Sequence, residues 1–451
     1  MTDPTCAGAE VEAARVTARR LFEAALRAVS PDHAVRRVLR WENDALHIDG
    51  HRISAPGEIF VVAIGKAAVA MTRGALEALD TRVASGHVIT KEGHVDSLLP
   101  RSISVFEASH PIPDARGERA TRVLLERLAA LGDDDVVLAL ISGGGSALLE
   151  APRAGVTLAD LARATDLLLR AGAPIDALNA VRAPLSQVKA GGLRAAAPRA
   201  TWATLILSDV LGNDPRVIAS GPTVPNQPDA ALARSIVDKY GVQDELPPSI
   251  VAALANGEPP AAAINDERDV LVVIGDNAGA VEAAAAEAKD AGLGVEIVWA
   301  EVEGEASELG KSFVDELVSA PEATDVLLGG GEATVRVRGD GSGGRNTEFA
   351  LAAALEMERR GVRDWVIASL ATDGQDAMTG LAGAIADGWT CQRARERGID
   401  PDAALARNNS VAVFEAAGGA VETGPTGTNV NDLYIAVRVK DSGTGHVEGG
   451  G

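Results

Sequence analysis

The chain has 451 residues, 46% hydrophobic, 24% charged and 3% aromatic, and a formal net charge of −22. That length exceeds one ordinary domain and points to two. The acidity argues against nucleic acid as a partner, and no apolar run reaches the length that crosses a bilayer.

The start, MTDPTCAGAEVEAARV, has neither a basic region nor a hydrophobic core and does not read as a secretory signal. Cys6 and Cys391 allow at most one disulfide, and the expected compartment is the cytoplasm. Acidic residues, abundant alanine and only seven lysines fit a halophilic source, where screening relieves self-repulsion. A GC-rich genome would also favour arginine over lysine.

Apolar residues from Val11 to Val29 recur at helical spacing, and Ser30-Pro31-Asp32 ends that helix. Ile59–Ile64 (IFVVAI) has the length and composition of a buried strand. It runs into Gly65-Lys66 and then a helix, AAVAMTRGALEALD, which is the opening of a βαβ unit. Lys66 is then expected at the carboxyl edge of a sheet. The turn is not a Walker A loop, because the upstream glycine is missing and Ala67 stands where Ser or Thr would hold magnesium.

Ile103–Phe106 reads as a short strand before the turn-rich SHPIPD segment, and Arg116–Leu131 as an amphipathic helix. Val136–Ile141 (VVLALI) is a buried strand that leads directly into Ser142-Gly143-Gly144-Gly145-Ser146. Three successive glycines let backbone approach a phosphate closely, or simply make a packing turn. Arg182 and Lys189 flank further glycine. The strand Thr204–Leu207 ends at Ser208-Asp209, where a carboxylate can hold Mg²⁺, orient a hydroxyl or cap a helix. Leu246–Asp269, rich in Pro and Ala, reads as the inter-domain connection.

Alternating strands and helices resume at Val270–Ile274, Val295–Trp299 and Val326–Leu328. Gly329–Glu348 (GGGEATVRVRGDGSGGRNTE) then carries seven glycines, with a half-exposed strand expected at Val335–Arg338. Gly341, Gly343 and Gly344 feed Arg345-Asn346 at a helix start, a pattern suited to an anion or to an ordinary turn. Gly339, Gly341 and Gly344 also match G-x-G-x-x-G, but the alternating strand before them is unlike the apolar strand of a dinucleotide fold. Trp365–Leu370 ends at Ala371-Thr372-Asp373-Gly374, and Thr423–Asp432 precedes a last strand, Leu433–Val439. No Cys/His spacing points to zinc and no G-x-S-x-G elbow to a hydrolase triad.

Together IGKAA at 64–68, SHPIPD at 109–114, SGGGSALLEAP at 142–152, SDV at 208–210, IASGPTVP at 218–225, GEATVRVRGDGSGGRNTEFALA at 331–352, TDGQD at 372–376 and TGPTGTNVNDL at 423–433 resemble the glycerate 2-kinase family, with its MOFRL C-terminal half. The resemblance covers Val11 to Val439. It implies an α/β protein with a Rossmann-like, mainly parallel sheet in residues 1–250 and a smaller mixed-sheet domain in 266–440. The active site is expected in the cleft between them, and 441–451 is expected as a disordered tail.

The implied reaction is ATP- and Mg²⁺-dependent phosphorylation of D-glycerate to 2-phosphoglycerate. Lys66 and Arg345 are the implied cations at the transferring group, and Ser142–Ser146 a phosphate or substrate cradle. Asp209 and Asp373 are implied as metal ligands or as the base, and Arg182, Lys189 and Asn431 as substrate contacts. Pro184, Ala190 and Ala377-Met378-Thr379 depart from the family pattern and bear on the contacts near Arg182 and Lys189. The alternatives are an NAD(P)-dependent hydroxypyruvate reductase, a label members of this family have carried, and a non-catalytic sugar-acid or nucleotide-binding regulator. Expected partners are D-glycerate and ATP, with no nucleic acid or membrane; a homodimer stays open.

Overall fold

The computed structural model describes residues 4–95, 99–224, 229–256 and 267–440. It forms two compact units, Ser30–Asp276 and a second made of Met1–Val29 with Asn277–Gly451. This division differs from 1–250 and 266–440 at both ends, since the first helix belongs with the C-terminal half. The expected disordered tail at 441–451 lies outside the described residues.

The first unit opens with a small antiparallel sheet, β1 (Leu39–Glu42), β2 (Ala45–Ile48) and β3 (His51–Ser54). Six parallel strands follow: β4 (Ile59–Ile64), β5 (Val83–Lys91), β6 (Ile103–Ala108), β7 (Val136–Ile141), β8 (Thr201–Leu207) and β9 (Val270–Gly275). β4, β7 and β8 are buried at every residue, as strands in a sheet covered by helices on both faces must be. Their order in the sheet is β6-β5-β4-β7-β8-β9. The direction of winding therefore reverses between β4 and β7, and a doubly wound sheet offers its ligand crevice at the carboxyl ends of such a pair.

Leu246–Asp269 is not a simple connection. Pro248–Asn256 is a helix whose Ile250 and Leu254 join a core with Leu161, Leu168, Leu178 and Leu185, and β9 completes the sheet from Val270. Residues 257–266 lie outside the described residues.

The second unit has a mixed sheet of β10 (Val295–Glu305), β11 (Val326–Thr334), β12 (Trp365–Ala371), β13 (Gly383–Asp387), β14 (Ala420–Val421) and β15 (Asp432–Arg438), in the order β10-β11-β15-β12-β13-β14. Only β10 and β11 pair in parallel. Helix Pro4–Ala28 packs against β12 and β15, burying Ala14, Ala18, Leu21, Phe22 and Ala25. Helix Arg345–Arg360 buries Phe349, which stacks on Tyr434 with ring centroids 4.4 Å apart, beside Phe313 and Trp299. Four of the chain's few aromatic rings thus concentrate in one core, where each removes a large apolar area from water.

Val335–Arg338 is not a strand, since β11 ends at Thr334 and Val337 is 75% exposed. The N–H groups of Arg338 and Gly339 donate to the Asn408 side chain instead of to a neighbouring strand. Cys391 is a buried free thiol. No helix among the described residues is long and apolar enough to cross a membrane.

Candidate active site

In the first unit the turns after β4 and β7 interlock at the winding reversal. The Lys66 N–H donates to Gly143 O at 2.9 Å. Ser142 Oγ accepts from the Ala67 N–H at 3.1 Å and donates to Ile64 O at 3.4 Å. Ser142 therefore spends its hydroxyl on tying the two turns together, and the side-chain contact expected of it in a ligand cradle is replaced by this structural one.

The three glycines have identifiable neighbours. A Cβ on Gly143 would overlap the Asp209 carboxylate. Gly144 has φ +83°, a left-handed conformation that favours glycine, and an added Cβ would stand 3.1 Å from His110 Cδ2 and 3.4 Å from Lys66 Cγ. A Cβ on Gly145 would come 2.8 Å from that of Ala219. Lys66, Asp209 and His110 thus surround the bare backbone of Gly143–Gly144.

Burial pushes the Asp209 carboxyl above its ordinary range, and the charge of Lys66 pulls against that rise. Burial, with Lys66, Lys91 and His94, brings the His110 imidazole down to about 4, so it is neutral at pH 7. His110 was not among the residues expected in the site. Its only sequence signal is the SHPIPD turn that follows β6.

Beneath the turn lies a buried polar cluster. Lys189 Nζ donates to Ser146 O at 2.7 Å and to Ser146 Oγ at 3.2 Å, and Arg182 Nη2 donates to the same carbonyl at 3.2 Å. Ser146 Oγ also shares a 2.6 Å hydrogen bond with Ser220 Oγ. Glu150 stands 3.4 Å from Lys189 and 3.6 Å from Arg182, and accepts from Ser186 Oγ at 2.6 Å. Burial lowers the Lys189 ammonium to about 8, against the pull of Glu150.

The side chains of Lys189 and Glu150 are each 1% exposed. Lys189, expected to touch substrate, is instead enclosed under the loop, because the Ser146 carbonyl and Glu150 take its charge. Arg182, with 13% of its side chain exposed, shares the task. Ser146 is likewise a member of this cluster.

The second unit revises the expected anion site at the start of helix Arg345–Arg360. The buried carboxylate of Asp376 accepts from the N–H of Asn346 at 2.9 Å, the N–H of Thr347 at 2.8 Å and Thr347 Oγ1 at 2.8 Å. The first-turn donors that could have held phosphate are thereby satisfied by the chain itself. A Cβ on Gly344 would overlap Asp376, one on Gly343 would come 2.5 Å from Ser410 Oγ, and one on Gly341 would overlap Asn409. A side chain at any of these three positions would meet the chain itself.

Arg345 makes a bidentate pair with Asp432, at 2.6 and 2.8 Å. Asn346 Nδ2 donates to the same carboxylate at 2.9 Å and Asn346 Oδ1 accepts from Ser369 Oγ at 2.8 Å, so Asn346 is fully engaged as well. The Asp432 carboxyl is pushed up to about 6 by burial, with Arg345 opposing. Arg345 keeps 24% of its side chain exposed. Asn431, at φ +65°, donates through Nδ2 to Glu332 at 3.1 Å, and its carbonyl accepts from Thr372. Asp373 is half-buried, and one carboxylate oxygen accepts from the Gln375 N–H at 2.9 Å.

Among the described residues no group of three or more His, Cys, Asp and Glu is placed to hold a metal. Magnesium commonly binds through one or two carboxylates together with substrate phosphates. Asp209 beside the Gly143–Gly144 backbone, and Asp373, each have the donor chemistry for that mode.

Comparison with known proteins bears on this constellation. Residues 17–255 match the family model described as "Domain of unknown function (DUF4147)", and 325–432 match the MOFRL family. The D-glycerate 2-kinase of Thermotoga maritima is 37% identical over 95% of this chain and 99% of its own length. An Agrobacterium vitis relative with the provisional name hydroxypyruvate reductase is 39% identical, covering 93% of both chains. The crystal structure of glycerate kinase from T. maritima superposes with a TM-score of 0.84 at 34% identity, covering 95% of this chain and 100% of that one. A shared fold, a match to the MOFRL model and 37% identity over nearly the whole of both chains have one reading: the chain belongs to the glycerate 2-kinase family.

Proposed function

We propose that the protein is an ATP-dependent kinase that phosphorylates D-glycerate at the 2-hydroxyl. The observation that carries this reading is the meeting of Lys66, Asp209 and His110 around the bare backbone of Gly143–Gly144, at the winding reversal of a doubly wound sheet. Phosphoryl transfer asks for positioning and for neutralisation of developing charge rather than covalent catalysis. Lys66 supplies a cation there, and the glycine backbone admits a phosphate closely. Asp209, with its carboxyl raised toward neutrality, is suited to accept the proton of the attacking hydroxyl. Neutral His110 donates or accepts a hydrogen bond without adding charge. Lys189 and Arg182, paired with Glu150, hold the Ser146 carbonyl and keep the turn in one shape.

Asp209 in the first unit, or Asp373 in the second, would be the carboxylate that holds Mg²⁺, which supplies positive charge to offset the phosphate oxygens of the donor. Arg345, fixed by Asp432, is the candidate cation of the second unit. A hydride-transfer reading draws no support from Gly339–Gly344, whose glycines pack on Arg407, Asn409, Ser410 and Asp376. Phosphorus NMR of a mixture of enzyme, ATP, Mg²⁺ and D-glycerate tests the proposal. The expected product is 2-phosphoglycerate. NADH-dependent reduction of hydroxypyruvate at a comparable rate would overturn it, as would 3-phosphoglycerate as the sole product.

A further inference from the structure

Beside the interlocked turns the first unit has a cavity of about 640 Å³, within the range of roughly 300–1,000 Å³ usual for small-molecule pockets. One wall is Pro111, Ile112 and Pro113, just past the carboxyl end of β6, and the other is Leu158, Leu161 and Leu169 on helix Leu158–Arg170. Ile112 is 67% exposed and Leu169 55%, so the walls present apolar surface that the fold itself leaves uncovered.

Two links place this cavity next to the glycine turn. Pro111 is one peptide bond from His110, whose ring lies against Gly144. Arg182 lines the cavity and donates to the Ser146 carbonyl. In a chain of net charge −22, the lining carries Arg163, Arg170 and Arg182, of which Arg170 pairs with Asp166 at 2.9 Å and Arg182 stands 3.6 Å from Glu150.

We propose that this cavity receives the nucleoside end of the phosphoryl donor while its phosphates run past the arginines to the Gly143–Gly144 turn. The assignment rests on the kinase reading above and extends it to where the donor lies. A three-carbon hydroxy acid has no apolar surface to match these walls, whereas a heterocyclic base has two apolar faces and is followed by ribose and a polyanion. The match is one of sequence along the ligand: apolar walls, then arginines, then bare backbone.

The test is a double variant, Ile112→Ser with Leu169→Ser, at exposed positions that leave the core intact. Titration calorimetry on the full chain, with Mg²⁺, compares ATP with inorganic tripolyphosphate. The expected result is that Kd for ATP rises about tenfold while Kd for tripolyphosphate stays within about twofold. Unchanged ATP affinity overturns the proposal, and so does an equal loss for both ligands, which would assign the walls to phosphate binding. Neither measurement needs glycerate turnover. An enzyme that makes 2-phosphoglycerate but shows no selective loss refutes the cavity alone, and one that binds ATP selectively but makes no phosphoglycerate refutes the kinase reading alone.

Discussion

Glu150→Gln is the perturbation that most directly probes the cluster under the glycine turn. The substitution keeps shape and the hydrogen bond to Ser186 but removes the carboxylate that stands 3.4 and 3.6 Å from Lys189 and Arg182. Removing one partner of a buried ion pair costs about 3–5 kcal/mol, because the remaining charge is left without compensation. Lys189 is 1% exposed, while Arg182 at 13% can lean toward solvent, which favours the lower end of that range. For a unit of this size about 3 kcal/mol corresponds to a fall in Tm of roughly 6–12 °C. Lys189→Met should cost a similar amount. The double variant should cost less than the sum of the two, since an uncharged pair leaves no orphan charge beyond Arg182.

Thermal melts of the three variants give the stability cycle, and steady-state kinetics gives the second readout. In Lys189→Met, where the Ser146 carbonyl keeps only the Arg182 hydrogen bond of the two described, kcat is expected to fall about tenfold or more while KM for D-glycerate stays within about twofold. A folded Lys189→Met protein with unchanged Tm and a raised KM for D-glycerate would refute this reasoning and restore Lys189 as a substrate contact.

Lys66→Ala should leave Tm unchanged and lower kcat on the order of 10³-fold, as loss of a cation acting on the transferring group does; near-normal kcat would remove Lys66 from the site. Asp376→Ala strips the Asn346 and Thr347 N–H groups of their acceptor in a buried place, and should cost about 2–4 kcal/mol in urea unfolding; a cost under about 0.5 kcal/mol would reopen that helix start as a ligand site. His87 is 4% exposed, stacks on Phe106 at 4.5 Å and is brought down to about 4 by burial. A histidine depressed in the fold contributes full stability above its ordinary value near 6.5, and loses it as pH falls through 4. Wild type should therefore lose roughly 3 kcal/mol more than His87→Phe across that window, and parallel pH–stability curves would contradict this. The net charge of −22 predicts a Tm that rises with KCl; a flat or falling Tm would remove the halophile expectation.

Much of the parallel sheet can be read from local pattern, because a strand covered on both faces must be apolar throughout. IFVVAI and VVLALI satisfy that, and the residues directly behind them, Lys66 and Gly143–Gly144, fall where sheet geometry puts a ligand. β5 escapes the same reading because Ser85, Gly86 and His87 interrupt its apolar run. Strand order is set by pairing across long separations and leaves no local trace. The Val-Arg alternation at 335–338 imitates a half-exposed strand, yet the acceptor for its N–H groups is Asn408, some 70 residues on.

The glycines before Arg345 look like an anion cradle for a related reason. What occupies the helix start is Asp376, 30 residues away, and no local feature announces it. Glu150 and Lys189 could be seen as charged residues, but only the fold shows that each is enclosed. Sequence pattern conveys burial along one strand or helix, and conveys poorly which side chain completes a distant turn.

The first helix, Pro4–Ala28, belongs with strands made near the other end of the chain, and that has a consequence for synthesis. Arg15 pairs with Asp387 across 372 residues, at 3.2 and 2.6 Å. At about 5–20 residues per second a ribosome takes roughly 20–75 s to cover that span. Throughout that interval the apolar stripe of Leu21, Phe22 and Ala25 has no β12 or β15 to lie on, while Ser30–Asp276 can complete its own sheet. The helix thus leaves the ribosome well before the strands it packs on, which makes it the natural segment for a holding chaperone to grasp. Pulse-labelled nascent chains should show Ser30–Asp276 protease-resistant well before the stretch ahead of it.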